Sequence, residues 1–140
     1  MELTKYNIEN WQVQFPSEWE FSVDEEQDPP QFVFDTHDVT VYVSVWNWRN
    51  SKGESPDKDT VLSFFEQGFS QQKQQLTDEY AAFYLENFST LSGKGMTSDG
   101  YEMISFAVCD EGTAVSLYFV FEKDAEKEKY LEFLRYADRL

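Results

Sequence analysis

The chain has 140 residues, with 27 acidic side chains against 11 basic ones and a formal net charge of −16. Its length fits one domain over residues 1–140, and 13 Phe, 8 Tyr and 4 Trp supply a core that excludes disorder for most of the chain and needs neither disulfide nor metal. A surface this acidic repels phosphate backbones and anionic lipid, which argues against nucleic-acid and membrane partners and for a basic one.

The amino-terminal decapeptide has neither a basic nor an apolar run, so it does not resemble a secretory signal. No apolar stretch approaches the roughly 18 residues of a membrane helix. The lone cysteine, Cys109, has no internal partner, which fits a reducing compartment. A cytoplasmic location is expected.

Trp11, Val13 and Phe15 alternate with glutamines and predict a first strand over 11–15. Pro16 and Ser17 turn the chain, and the alternation resumes over 19–23. Together these predict a hairpin of two half-exposed strands. Residues 24–30 hold four carboxylates and two prolines and form a loop. A short strand over 31–35 and a turn at Thr36, His37 and Asp38 lead into residues 39–48. There Val39, Val41, Val43 and Val45 occupy one side, and Thr40, Tyr42, Ser44, Trp46 and Trp48 the other. β-Branched and aromatic residues in strict alternation predict a strand covered on both faces, in the middle of a sheet.

Ser55 and Pro56 predict a helix start. Val61, Leu62, Phe65 and Phe69 then recur at helical spacing, so a first helix is expected over 56–76, weakened at Gly68 by about 1 kcal/mol. Residues 80–91 are ambiguous between one strand, two, or a loop. Gly93, Lys94 and Gly95 predict a turn. Strands are expected over 101–109 and 114–121, joined by a turn at 110–113, and the second of them should lie beside the central strand. Asp124 is the expected cap of a closing helix in which Tyr130, Leu134 and Ala137 form a stripe. The sum is an α+β fold: a mainly antiparallel sheet of about six or seven strands with an amphipathic helix on each side.

The segment from Val13 through Pro16 to Trp19, followed by two strands and a valine-rich third, resembles the opening of the PsbP-like superfamily. The β-rich first half, middle helix, hairpin and closing helix resemble it too. That superfamily holds photosystem extrinsic subunits, a yeast Ran-binding import factor and many bacterial proteins. The resemblance implies a small α/β/α sandwich used as a binding module, with no active site common to its members.

No set of residues points to catalysis. His37 lies in an acidic turn, with no serine or cysteine nucleophile placed beside it. Cys109 ends an apolar strand with no cation flanking it, and is expected to act as a small buried hydrophobe. One His and one Cys cannot complete a tetrahedral metal site, and the acidic loop lacks EF-hand spacing. No cofactor is expected.

Two features remain as candidate partner-binding elements. Trp46 and Trp48 with Arg49 offer the residue types that dominate interface hot spots. Asp24, Glu25, Glu26 and Asp28 offer negative charge to a basic surface. The expected function is a non-enzymatic, acidic protein-binding module, in its most concrete form an immunity-type inhibitor of a basic toxin, acting as a monomer or weak homodimer. The alternative is a small-molecule-binding domain or minor enzyme with an aromatic-lined pocket.

Overall fold

The computed structural model describes residues 2–140. Strands β1 (Leu3–Ile8) and β2 (Trp11–Pro16) open the chain as a hairpin, followed by β3 (Glu20–Asp24), β4 (Gln31–Asp35) and β5 (Val39–Asn47). Helix α1 (Lys58–Gln71) separates these from β6 (Gln75–Leu76), β7 (Ser89–Met96), β8 (Glu102–Asp110) and β9 (Thr113–Phe121). A short α2 (Lys127–Leu131) and β10 (Asp138–Arg139) close it.

Seven strands form an antiparallel sheet in the order β3-β4-β5-β9-β8-β7-β6, and β1-β2-β10 form a second, three-stranded one. The expected central strand is central, and β9 is its neighbour, with Val43 opposite Leu117. The α+β class holds.

The alternation in β5 gives the large sheet an inner and an outer face. Val39, Val41, Val43 and Val45 share the inner face with Val115, Leu117, Phe119 and Phe121 of β9 and with Ile104, Phe106 and Val108 of β8. All are buried, in one cluster with Trp11, Val13 and Phe15 of β2 and with Leu131, Phe133 and Leu134. Each large side chain buried in this way contributes about 1.5–3 kcal/mol. The fully buried Trp11 indole donates from Nε1 to Thr113 Oγ1 at 2.8 Å, which satisfies its one polar atom.

The segment after Trp11 departs from the expected hairpin. β2 pairs with β1 and β10, whereas β3 pairs with β4, so the two predicted partners lie in different sheets. The apolar side of β2 is buried against the large sheet, so the strand takes its partners from residues 3–8 and 138–139 instead.

Helix α1 is shorter than expected at both ends. Asp57, not Ser55, is its cap, with Oδ1 accepting from Thr60 N at 2.8 Å. At the other end Lys73 turns left-handed at φ 61°, Gln74 N donates to Phe69 O and Lys73 N to Ser70 O. That is a Schellman stop, built without glycine.

Gly93 and Gly95 lie inside β7 rather than in a turn. A Cβ on Gly93 would sit 3.1 Å from the Phe69 ring, so the glycine makes room for the end of α1. Residues 81–83 form a 3-10 turn, and the strand in this region begins only at Ser89. The closing helix is also brief: Asp124 has φ 67° and caps nothing, α2 has five residues, and a 3-10 turn over Glu132–Tyr136 continues it.

Candidate functional site

The outer face is set by where α1 lies. Val61, Phe65 and Phe69 are buried against Ala107, Cys109 and Ala114, small side chains that let a helix approach the sheet closely. Across the strands, the outer-face rows run Trp46–Ala114–Cys109, Ser44–Ser116–Ala107, Tyr42–Tyr118–Ser105 and Thr40–Val120–Met103. The helix docks on the small residues of the first two rows. Tyr118 marks the limit of its reach, with its ring centroid 6.3 Å from that of Phe69.

Two concavities result, one on each side of Tyr118. The first is an aromatic groove of about 260 Å³ between the edge of α1 and the end of β5, lined by Trp46, Trp48, Phe64, Phe65, Phe69 and Tyr118 with Gly68 and Gln72. Trp46 and Trp48 stack with ring centroids 6.3 Å apart and planes within 9°. Phe65 meets both edge-on, at 5.8 and 5.9 Å. Trp46 is further held by its Nε1, which donates to Ser116 Oγ at 3.1 Å. Phe64 stands 41% exposed beside Trp48.

The second is a basin of about 490 Å³ on the part of the face beyond the helix, with Thr40, Tyr42, Tyr118, Val120 and Met103 on its floor. Asp99 and Glu122 are its only charged lining residues, and no Lys, Arg or His lines it. Burial raises the Tyr118 hydroxyl above its ordinary value of 10, while a hydrogen bond with Gln72 pulls the other way.

The predicted site residues fall into two groups. Trp46 and Trp48 are half-buried in the groove, Trp48 lying one residue beyond the end of β5, and Arg49 is exposed just after them. Asp24 closes β3 half-exposed, and Glu25, Glu26 and Asp28 are exposed in the loop to β4. The β4–β5 register sets Phe32 opposite Val43, so the loop ahead of Gln31 lies toward the same end of the sheet as Trp46, two strands away. Among the described residues no hydrogen bond or ion pair joins the two groups.

The His37 side chain is 89% exposed, 3.6 Å from Asp38. Asp38 accepts from the Tyr130 hydroxyl at 2.7 Å, and burial with this bond pushes Tyr130 up to about 12. Cys109 is fully buried and pushed up to about 12 by that burial, the opposite of an activated thiolate. Among the described residues no group of three His, Cys, Asp or Glu side chains is arranged to hold a metal ion.

No protein family and no curated protein matches the chain by sequence. Solved structures do match in shape. The solution structure of cyanobacterial PsbP from Synechocystis superposes with a TM-score of 0.61 at 12% identity, over 99% of this chain and 92% of that one. The fold is PsbP-like. A crystal structure from Bacteroides thetaiotaomicron also scores 0.61, at 15% identity over 93% of this chain. This chain spans 45% of that one's length.

On this PsbP-like frame, the residues that the sequence did not mark as part of a site are Phe64, Phe65, Phe69, Tyr42 and Tyr118, and with them the basin. Their signal was present in part. Ala107, Cys109 and Ala114 mark where a helix can lie close, and Met103, Tyr118 and Val120 mark where the same face is left open. Charge gives a second signal. Between Lys5 and Arg49 the chain holds nine carboxylates, His37, and no Lys or Arg at all. That stretch includes β3, β4 and β5, so these three strands at one end of the large sheet carry no Lys or Arg of their own.

Proposed function

We propose that the chain is a non-enzymatic module that captures a basic protein, in its most concrete form an immunity-type inhibitor of a basic toxin. The carrying observation is the segregation of charge: nine carboxylates and no Lys or Arg over residues 6–48, with the Trp46–Trp48 groove at the border of that region. Such a field steers a cationic surface toward the molecule and accelerates encounter. The stacked indoles and Phe64 then offer rigid, amphipathic area to anchor it. Asp24, Glu25, Glu26 and Asp28 extend the field from the β3–β4 loop. Soluble, cytoplasmic action is part of the proposal, and no helix among the described residues is long and apolar enough to cross a membrane.

The test is capture from lysate on the immobilised chain, with Trp48→Ala as the comparison bait, followed by stopped-flow association of the purified pair. A basic protein held by the native chain, lost from the variant, and associating at least tenfold more slowly between 50 and 300 mM salt (an order-of-magnitude expectation for steered encounter) supports the reading. Association indifferent to salt overturns it. The aromatic lining of the groove favours one rival, a small apolar ligand. Tryptophan quenching by such a ligand at micromolar concentration, with no protein captured, would establish that rival instead.

A further inference from the structure

Strand β3 ends the large sheet and pairs on one side only, with β4. The opposite end of the sheet is the two-residue β6, too short to template anything. β3 is different: five residues long, exposed from Glu20 to Val23, with Phe21 45% and Val23 39% exposed. Its free backbone N–H and C=O groups present a ready edge for another strand.

The side chains on this edge have a chemistry. Glu20, Ser22 and Asp24 point to the outer face, and Phe21 and Val23 to the inner one, where Phe21 packs at 5.0 Å against both Tyr6 and Phe34. A second copy of β3 cannot use the edge well. Pairing it antiparallel about Ser22 sets Glu20 of each copy against Asp24 of the other, and pairing it parallel sets like carboxylates side by side. Like charges directly opposite destabilise a strand pair. The same carboxylates favour a strand with cations at those positions, and Glu20 already lies opposite Asp35, with no Lys or Arg between residues 6 and 48 to neutralise them.

We propose that β3 binds its partner by strand addition, and that the incoming strand alternates cation, apolar, small polar, apolar, cation. Lys or Arg faces Glu20 and Asp24, and the apolar pair covers Phe21 and Val23. This rests on the reading of the chain as a binder of basic proteins and adds the mode of contact. Backbone hydrogen bonds supply affinity, and the alternation supplies specificity.

The experiment titrates the full isotope-labelled chain with two ten-residue peptides of equal charge, followed by NMR. One carries Lys-Val-Thr-Val-Lys flanked by threonines, and the other has proline in place of the central threonine. Shifts centred on residues 20–24, slowed amide exchange there, and binding at least tenfold tighter than the proline peptide support the proposal. Loss of that binding in Glu20→Lys/Asp24→Lys, at unchanged thermal stability, completes it. Equal binding of both peptides overturns strand addition while leaving electrostatic capture standing. Shifts centred on Trp46 and Trp48 likewise overturn it. Binding of neither peptide at low salt overturns both readings.

Discussion

Replacing Gly112 by alanine tests how the groove is held. Gly112 lies in the two-residue turn between β8 and β9 at φ 68°. Its N–H donates to Pro56 O and its carbonyl accepts from Trp48 N, both at 2.8 Å, so the turn clamps the loop that leaves β5 with Trp48 and Arg49. A Cβ there would sit 2.7 Å from Ser55 Cβ and Oγ and 3.3 Å from the Trp48 carbonyl. Two costs follow. The left-handed conformation costs an L-residue about 1–2 kcal/mol, and overpacking against Ser55 adds about 1–3 kcal/mol. Gly112→Ala should therefore lose about 2–5 kcal/mol in urea denaturation followed by circular dichroism. In a Ser55→Gly background the clash with Ser55 disappears and only the 3.3 Å approach to the Trp48 carbonyl remains, so the same change should cost nearer the about 1–2 kcal/mol of the left-handed conformation. A penalty no smaller in that background would show that the close approach to Ser55 is not its source.

Cys109 should resist thiol reagents in the native protein and react fully in denaturant, because burial pushes it up to about 12; rapid reaction in the folded chain would refute its placement beneath α1. The Asp57 carboxyl is held below its ordinary value of 3.8, chiefly by the backbone N–H of Thr60. A depressed carboxylate stabilises above its unfolded value and loses that contribution as pH falls through its folded one. The stability gap between the native chain and Asp57→Ala should thus be full at neutral pH and close in acid below the ordinary value, and a gap unchanged in strong acid would contradict the cap. Tyr130 is shifted the other way, first by burial and then by its bond to Asp38, up to about 12. Its contribution is complete below 10 and lost as pH rises toward 12, so Tyr130→Phe should flatten that stretch of the alkaline unfolding curve and cost about 1 kcal/mol at neutral pH. An alkaline limb unchanged by the variant would exclude Tyr130 from it.

The parts of the fold legible in the sequence are those where burial is two-sided. β5 and β9 alternate without interruption, so their existence, their adjacency and their inner faces could be read directly. The failures share a cause. The residues 3–8 that pair with β2 alternate only weakly, and the other partner, residues 138–139, lies more than a hundred positions away, so no local pattern reveals the pairing. Gly93 looks like a turn residue until Phe69 is seen beside it. Ser55 and Asp57 are both good caps, and only the Thr60 amide chooses between them. For the site, the chain announced Trp46 and Trp48 but not their depth. Half-burial depends on how Phe64 and Phe65 of α1 lie against the indoles, and α1 is seated on Ala107, Cys109 and Ala114, far from both tryptophans in sequence.

The three-stranded sheet also bears on when the fold can be completed. Its middle strand takes one partner from residues 3–8 and the other from residues 138–139, where Arg139 N donates to Asp138 Oδ1 and Arg139 Nη1 pairs with Asp110 at 2.9 Å. The guanidinium also lies 5.5 Å from the centre of the Trp11 ring. A chain emerging from the ribosome can form the first hairpin early. It cannot complete the layer over the valines until residues 138–139 have been made. Closing so long a loop is entropically slow. Until then the valine face of β5 lacks part of its cover, and transiently open apolar surface of this kind is what aggregation and chaperones act on.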